Sequence, residues 1–179
     1  MGAGARTEDR VPVLETARLR LRAHRPDDHV ACTAMWADPA VVRYIGGRPF
    51  TAEETWRRML GSRGMWSMLG FGYWAVEEKA GGRYLGDIGF GDFRRDIEPS
   101  LAGMLEFGWV LSPQAHGRGY ASEAVAAATA WADANLPGMR AVCLISEGNA
   151  ASIRVAAKAG FREWRRTSYH GEPALLFAR

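Results

Sequence analysis

Cysteine is scarce: Cys32 and Cys143 are the only two in 179 residues. They lie far apart among apolar neighbours, which excludes a disulfide framework or a cysteine metal cage and reads as two buried free thiols. Histidine is equally sparse. His24, His29, His116 and His170 show no pairing at metal-ligand spacing, so no metal enters the expected chemistry. No apolar run approaches the roughly 18 residues that a membrane helix needs. The segment from Met1 to Pro12 is small, charged and non-periodic, without the apolar centre of a signal peptide. These absences point to a cytoplasmic protein with no membrane partner and a flexible tail over residues 1–12. An excess of one charge is missing too, since 23 Lys and Arg against 20 Asp and Glu leave a net charge of +3, too mild to argue for nucleic acid. The densest basic cluster, Arg162, Arg165 and Arg166, is either a nucleic-acid patch or the solvated face of a strand, and the pattern favours the second.

What is present fits one domain over residues 13–179. Leu19 and Leu21 alternate with Arg18, Arg20 and Arg22, the period of a strand with one buried face. Pro26-Asp27-Asp28 caps a helix running to about Ala37. Thr51-Ala52-Glu53-Glu54 matches a capping box, so a second helix should carry Trp56, Met59 and Leu60 toward the core. Residues 38–49 between them read as a loop. Phe71 to Glu78 and Tyr84 to Phe93 read as a hairpin around Lys79-Ala80-Gly81-Gly82-Arg83. In its second strand Gly86, Gly89 and Gly91 mark either the approach of a ligand or, the plainer reading, a bent or bulged strand. A strand over 103–111 precedes a helix from about Tyr120 to Asn135, whose Ala121, Ala124, Val125, Ala128 and Ala132 are small enough to lie close against a sheet. A strand over 140–146, a helix over 149–159 stopped by Gly160, and a hairpin of 161–168 with 173–178 complete the chain. Mixed strands with helices on both sides give a three-layer α/β or α+β domain.

The most informative stretch is Gln114-Ala115-His116-Gly117-Arg118-Gly119, set between an apolar strand and an alanine-rich helix. Two glycines permit a tight turn that points successive N–H groups at one anion from the helix's positive end, although a plain turn would look similar. Tyr120-Ala121 follow where a P-loop needs Lys and Ser or Thr. The dinucleotide fingerprint also fails, for want of a third small residue.

The hexapeptide Gln-x-x-Gly-x-Gly resembles the acyl-CoA-binding motif of the GNAT N-acetyltransferase superfamily. Asn149-Ala150-Ala151-Ser152-Ile153-Arg154 with Lys158-Ala159-Gly160-Phe161 is similar to the Asn-x-x-Ser…Lys-x-Gly-Phe segment of its ribosomal-protein-alanine N-acetyltransferase (RimJ/RimL-like) branch, and Leu14 to Arg22 is similar to that branch's opening strand. The resemblance implies a V-splayed, mostly antiparallel sheet of about seven strands flanked by helices. It further implies an acetyl-CoA co-substrate and an amine acceptor, the α-amine of a peptide or protein N-terminus or a small amine. A homodimer is compatible with it. Strands 103–111 and 140–146 should splay and admit the pantetheine arm, with main-chain groups near Val110 pairing with it, Gly108 letting the strand bend, and an N–H near Leu111 meeting the thioester carbonyl. Gln114, Gly117, Arg118, Gly119, Tyr120 and Ala121 belong to the pyrophosphate loop, with Arg118 or His116 adding side-chain contacts.

Asn149 is a helix N-cap, a pantetheine partner, or both; Ser152 satisfies the first helical turn or lies near the CoA sulfur. Glu106 shares a strand face with Met104, Gly108 and Val110, so its carboxylate stands beside the space over a glycine, either as the general base or as a solvent-facing residue. One position departs from the family pattern: Ala156 stands where many members place a tyrosine that protonates the leaving thiolate. CoA's thiol pKa of about 8.5 lets it leave with modest help. An acetyltransferase of small amines and a catalytically silent acyl-CoA-binding module are the competing functions.

Overall fold

The structure, a computed structural model, describes residues 11–179. Residues 1–10 of the expected tail lie outside the described residues. Its last two are part of the fold: Val11 joins the core, and the Pro12 carbonyl accepts a hydrogen bond from Trp74 Nε1 at 2.8 Å.

Among the described residues eight strands form one sheet, in the order β1 (Leu14–Glu15), β2 (Leu19–Arg22), β3 (Tyr73–Glu78), β4 (Arg83–Gly91), β5 (Leu105–Leu111), β6 (Ala141–Ser146), β8 (Glu172–Ala178), β7 (Arg162–Tyr169). The strand beyond the expected number is the two-residue β1, too short for an alternation to reveal. Every pairing is antiparallel except β5 with β6. Those two are joined by α4 (Tyr120–Asn135), a crossover of the kind that makes neighbouring strands parallel. Among the described residues no helix is long and apolar enough to cross a membrane.

One face of the sheet is covered by α4, whose Ala124, Val125, Ala128 and Ala132 are buried as their spacing foretells, with α5 (Ala150–Lys158) beside it. Trp66, Trp74 and Trp131 meet edge to face there at 4.7–5.6 Å, a geometry that suits the ring quadrupole. The other face carries α1 (His29–Trp36), α2 (Pro39–Val42) and α3 (Ala52–Leu69) over Ala75 and Tyr84. Both cysteines are buried and unbridged.

Two expectations change here. The capping box at Thr51 and Glu54 is formed, but the buried stripe of α3 is Thr55, Met59, Ser62 and Trp66. Trp56 and Leu60 lie one residue off that stripe and are exposed, Trp56 resting edge-on against His29 at 5.2 Å. The loop expected over 38–49 contains α2, started by Asp38, whose side chain accepts from Ala40 N, with Pro39 at the first helical position.

A buried charge cluster fixes where α1 begins. Arg22 is 4% exposed; it donates to Glu77 at 2.6 Å and to both Asp28 oxygens at 2.8 Å, pinning the single turn Pro26–Asp28 to the sheet. Burial pushes both carboxyls up, but Arg22 outweighs it and holds them below the usual carboxylate range. Stabilisation of this sign is present above the unfolded-state values of about 4 and fades as pH falls through the lower folded ones. Arg22→Ala should therefore cost about 3–5 kcal/mol at pH 7. Denaturant unfolding of both proteins from pH 7 to pH 3 should find the gap between them narrowing in acid.

Candidate functional site

β5 and β6 pair through two residues only, Leu105 with Ala141 and Glu106 with Val142. Beyond Glu106 the strands part. Leu105 donates its N–H toward β6, to the Arg140 carbonyl at 2.9 Å, and Ser112 donates toward β4, to the Leu85 carbonyl at 2.8 Å. Pairing with β4 is uninterrupted between them, so strand alternation turns the N–H groups of Trp109 and Leu111 into the gap. The main-chain partner expected near Val110 thus shifts by one residue. The Val110 carbonyl faces β4, where a side chain on Gly86 would strike it at 2.1 Å, while the Val110 side chain lines the cavity.

The glycine loop opens at the end of β5. Gln114 is exposed in the single turn Pro113–Ala115, and His116 Nε2 donates back to the Leu111 carbonyl at 2.8 Å, so its ring braces the loop. Gly117 and Gly119 take φ values of +72° and +79°, the left-handed region that only glycine enters freely. Gly119 is the N-cap of α4 and offers no side-chain cap. As a result the N–H groups from Gly117 to Ser122 have no hydrogen-bond acceptor among the described residues, a row of donors at the positive end of a helix. Arg118 stacks over the Tyr120 ring at 4.7 Å and sits 3.4 Å from Glu78. Arg18 ties the loop from below, donating to the Arg118 carbonyl at 2.9 Å and to Glu123 at 2.7 Å. Glu123 is thereby occupied as a strut.

A cavity of about 1060 Å³ lies where β5 and β6 diverge, beneath α1, α3 and the segment after α2. Asn149 and Ser152 line it from α5. Asn149 Oδ1 caps that helix by accepting from Ser152 N at 3.1 Å, which leaves its amide NH₂ to the cavity. Glu106 lines it too, 6% exposed, but both its oxygens accept from Arg95 Nε at 2.8 Å, and Arg95 also donates to the Tyr169 hydroxyl at 2.9 Å. Nor is the space over Gly108 empty, because the Tyr73 hydroxyl fills it, 2.3 Å from where a side chain on Gly108 would begin. Gly108 therefore makes room for a ring rather than bending the strand. Gly89 makes room for backbone instead, since a side chain there would strike the Gly72 carbonyl at 2.3 Å.

Deeper in the wall is a buried carboxylate that sequence reasoning missed. Asp87 accepts from His24 Nε2 at 2.6 Å, Tyr84 Oη at 2.7 Å and Trp36 Nε1 at 3.3 Å. Burial pushes its carboxyl up, yet His24, Tyr84 and Arg58 outweigh that and hold it low. Cys32 lies beside it, its thiol pushed by burial to about 12 and so unreactive. The signal was a lone aspartate inside an otherwise apolar and glycine strand. Arg58 stacks on Trp36 at 4.2 Å and Arg43 on Tyr44 at 5.1 Å; both line the cavity with no carboxylate within 4.0 Å among the described residues.

Comparison with known proteins shows the family and agrees with the fold. The model of the acetyltransferase (GNAT) domain family matches residues 18–162, and the chain belongs to that family and is an N-acetyltransferase. A GNAT-family acetyltransferase from Bordetella pertussis, described as putative, superposes with a TM-score of 0.82 at 30% identity, covering 94% of this chain and 99% of that one. An acetyltransferase from Agrobacterium tumefaciens gives 0.80 at 28% identity, with 94% of each chain covered. The uncharacterized protein YkkB of Bacillus subtilis is 28% identical over 170 residues, 93% of this chain and 94% of its own length.

The crowding at Gly108 can be tested without any ligand. Gly108→Ala should cost about 1–3 kcal/mol, because the phenol must be pushed aside in a packed wall. Most of that loss should return in Gly108→Ala combined with Tyr73→Phe, a coupling that a double-mutant cycle in denaturant would measure.

Proposed function

We propose that the protein transfers an acetyl group from acetyl-CoA to a primary amine, and that the acceptor is the α-amine of a peptide or protein N-terminus. The observation that carries this reading is the row of unpaired N–H groups from Gly117 to Ser122 at the mouth of the gap between β5 and β6. A pyrophosphate needs such donors, and an amide-bearing pantetheine arm needs free strand amides beside it. In this reading Gly117, Arg118, Gly119, Tyr120 and Ala121 hold the pyrophosphate through their backbone. The Leu111 N–H meets the thioester carbonyl, the Asn149 amide meets the arm, and Ser152 stands near the sulfur. An N–H aimed at a developing oxyanion is worth about 3 kcal/mol in acyl transfer.

The electrostatics favour a singly charged or neutral acceptor. Of the carboxylates lining the cavity, Asp87, Glu106 and Glu147 are bonded to His24, Arg95 and Arg166 and Glu172 has no ion-pair partner among the described residues, while Arg43 and Arg58 bring two positive charges with no carboxylate within 4.0 Å. That lining repels a polyamine or an aminoglycoside. Glu106 remains the base, and it can take a proton only by giving up a hydrogen bond from Arg95. Such a site suits an acceptor that is easily deprotonated. At pH 7 an α-amine of pKa about 8 costs about 1.4 kcal/mol to deprotonate, against about 4.6 for a lysine-like amine of pKa about 10.4. The cavity, at the upper end of the usual 300–1,000 Å³ or so for ligand sites, has room for a peptide end beside the donor.

Gly119→Val forces a β-branched residue into left-handed backbone at the cradle, so calorimetry should find acetyl-CoA affinity reduced at least tenfold in the folded variant. Unchanged affinity would remove the loop from the donor site. For the acceptor, CoA release should give kcat/KM higher for a short peptide beginning with Ala or Ser than for spermidine or an aminoglycoside. Glu106→Gln should lower that rate at neutral pH and recover part of it in alkali. A polycation preferred tenfold would overturn the assignment.

A further inference from the structure

Ala156, where the family resemblance puts a proton-donating tyrosine, is fully buried in the core, so that turn of α5 offers the cavity nothing. The opposite wall does. Tyr73 on β3, Gly89 on β4 and Gly108 on β5 are lateral partners in one row across the sheet, and with no side chain at Gly108 the phenol reaches past β4 to β5. Its hydroxyl comes to rest over Gly108. Gly108 is the first residue on this face of β5 after Glu106, where the ladder to β6 ends. The hydroxyl therefore stands at the apex of the split. It lines the cavity and has no hydrogen-bond partner among the described residues. Its backbone is fixed from behind, since the Tyr73 carbonyl accepts from Trp66 Nε1 at 3.0 Å.

We propose that the Tyr73 hydroxyl is the catalytic proton carrier between the two reactants, accepting a proton from the acceptor nitrogen as it passes its own to the departing sulfur. This rests on the acetyl-transfer reading above. The nitrogen lone pair forms the C–N bond, and the C–S electron pair leaves with sulfur. One proton moves from nitrogen to the phenol oxygen and another from that oxygen to sulfur, so the hydroxyl ends the cycle unchanged. Glu106, the base named above, takes the earlier proton that converts an ammonium acceptor into the attacking amine; for the later transfer the neighbouring carboxylates are less free to serve. Glu106 has both oxygens on Arg95, and Asp87 is held by His24, Tyr84 and Trp36. Burial pushes the phenol above its ordinary pKa, which keeps it protonated at working pH and favours one concerted transfer over a free phenolate.

Tyr73→Phe keeps the ring and removes the hydroxyl. With acetyl-CoA, kcat should fall about 100-fold at nearly unchanged donor KM. With the acetyl thioester of thiophenol, whose thiol leaves without protonation, the deficit should shrink to a few-fold. A second measurement needs no turnover: with 3-fluorotyrosine placed at position 73, the fluorine resonance should shift on binding CoA and shift far less on binding desulfo-CoA. Equal deficits with both thioesters, or equal shifts with both ligands, would overturn the role of Tyr73 while leaving acetyl transfer intact. A wild-type protein that neither binds CoA nor releases it from acetyl-CoA would overturn the acetyl-transfer reading, and the role of Tyr73 with it.

Discussion

Two residue pairs are all that hold β5 to β6, and the rest of the site depends on that short ladder. Parallel strands joined by a helical crossover would ordinarily pair along their length. Here the strands separate after Glu106, and the amides of Trp109 and Leu111 face open space. Pro113 ends the strand without a donor of its own. The backbone then turns through two left-handed glycines, and α4 begins with its first-turn amides unspent. One divergence in the sheet thus produces a groove with free peptide groups along its side and a helix terminus at its mouth.

On the face beneath α1 and α3 the same sheet buries carboxylates, and each has hydrogen-bond donors around it. Asp87 with His24, Tyr84 and Trp36 forms a rigid wall, and Arg22 with Glu77 and Asp28 fixes the turn that starts α1. The two clusters are coupled through that helix, since α1 is anchored at Asp28 and delivers Trp36 to Asp87 eight residues further on. Buried ion pairs add little net stability when intact and cost much when broken. Their value here is positional: they hold α1 at a set height above the strands and keep the cavity open.

The glycine loop, the helix behind it and the hairpins were legible in the sequence because each is a local pattern of spacing and turn chemistry. Asn149 was legible for the same reason, as a cap. What stayed hidden was lateral. Tyr73 meets Gly108 only after strand register is known, and Glu106 meets Arg95 and Asp87 meets His24 only after the segments beyond β4 and β2 are placed, and no periodicity within one segment carries either. Gly108 read as a hinge because a strand glycine has several uses, and only the neighbour two strands away distinguishes them. Trp56 and Leu60 were misplaced because aromatic and aliphatic bulk suggests burial, whereas the helix buries a narrower stripe that includes Thr55 and Ser62.

The contact between Arg18 and the glycine loop bears on kinetics. Because the Arg118 carbonyl and the Glu123 side chain are both held from β2's leading turn, the loop is already shaped before any anion arrives, and binding spends little conformational entropy on ordering it. Capture is then governed by encounter. On the proposed acetyl-CoA reading, the pull on a polyanionic donor comes chiefly from the free amides and the helix terminus, since Arg18 and Arg118 each lie beside a carboxylate. On that reading salt acts on donor association, and only modestly, while escape is set by short contacts with backbone amides and stays nearly constant.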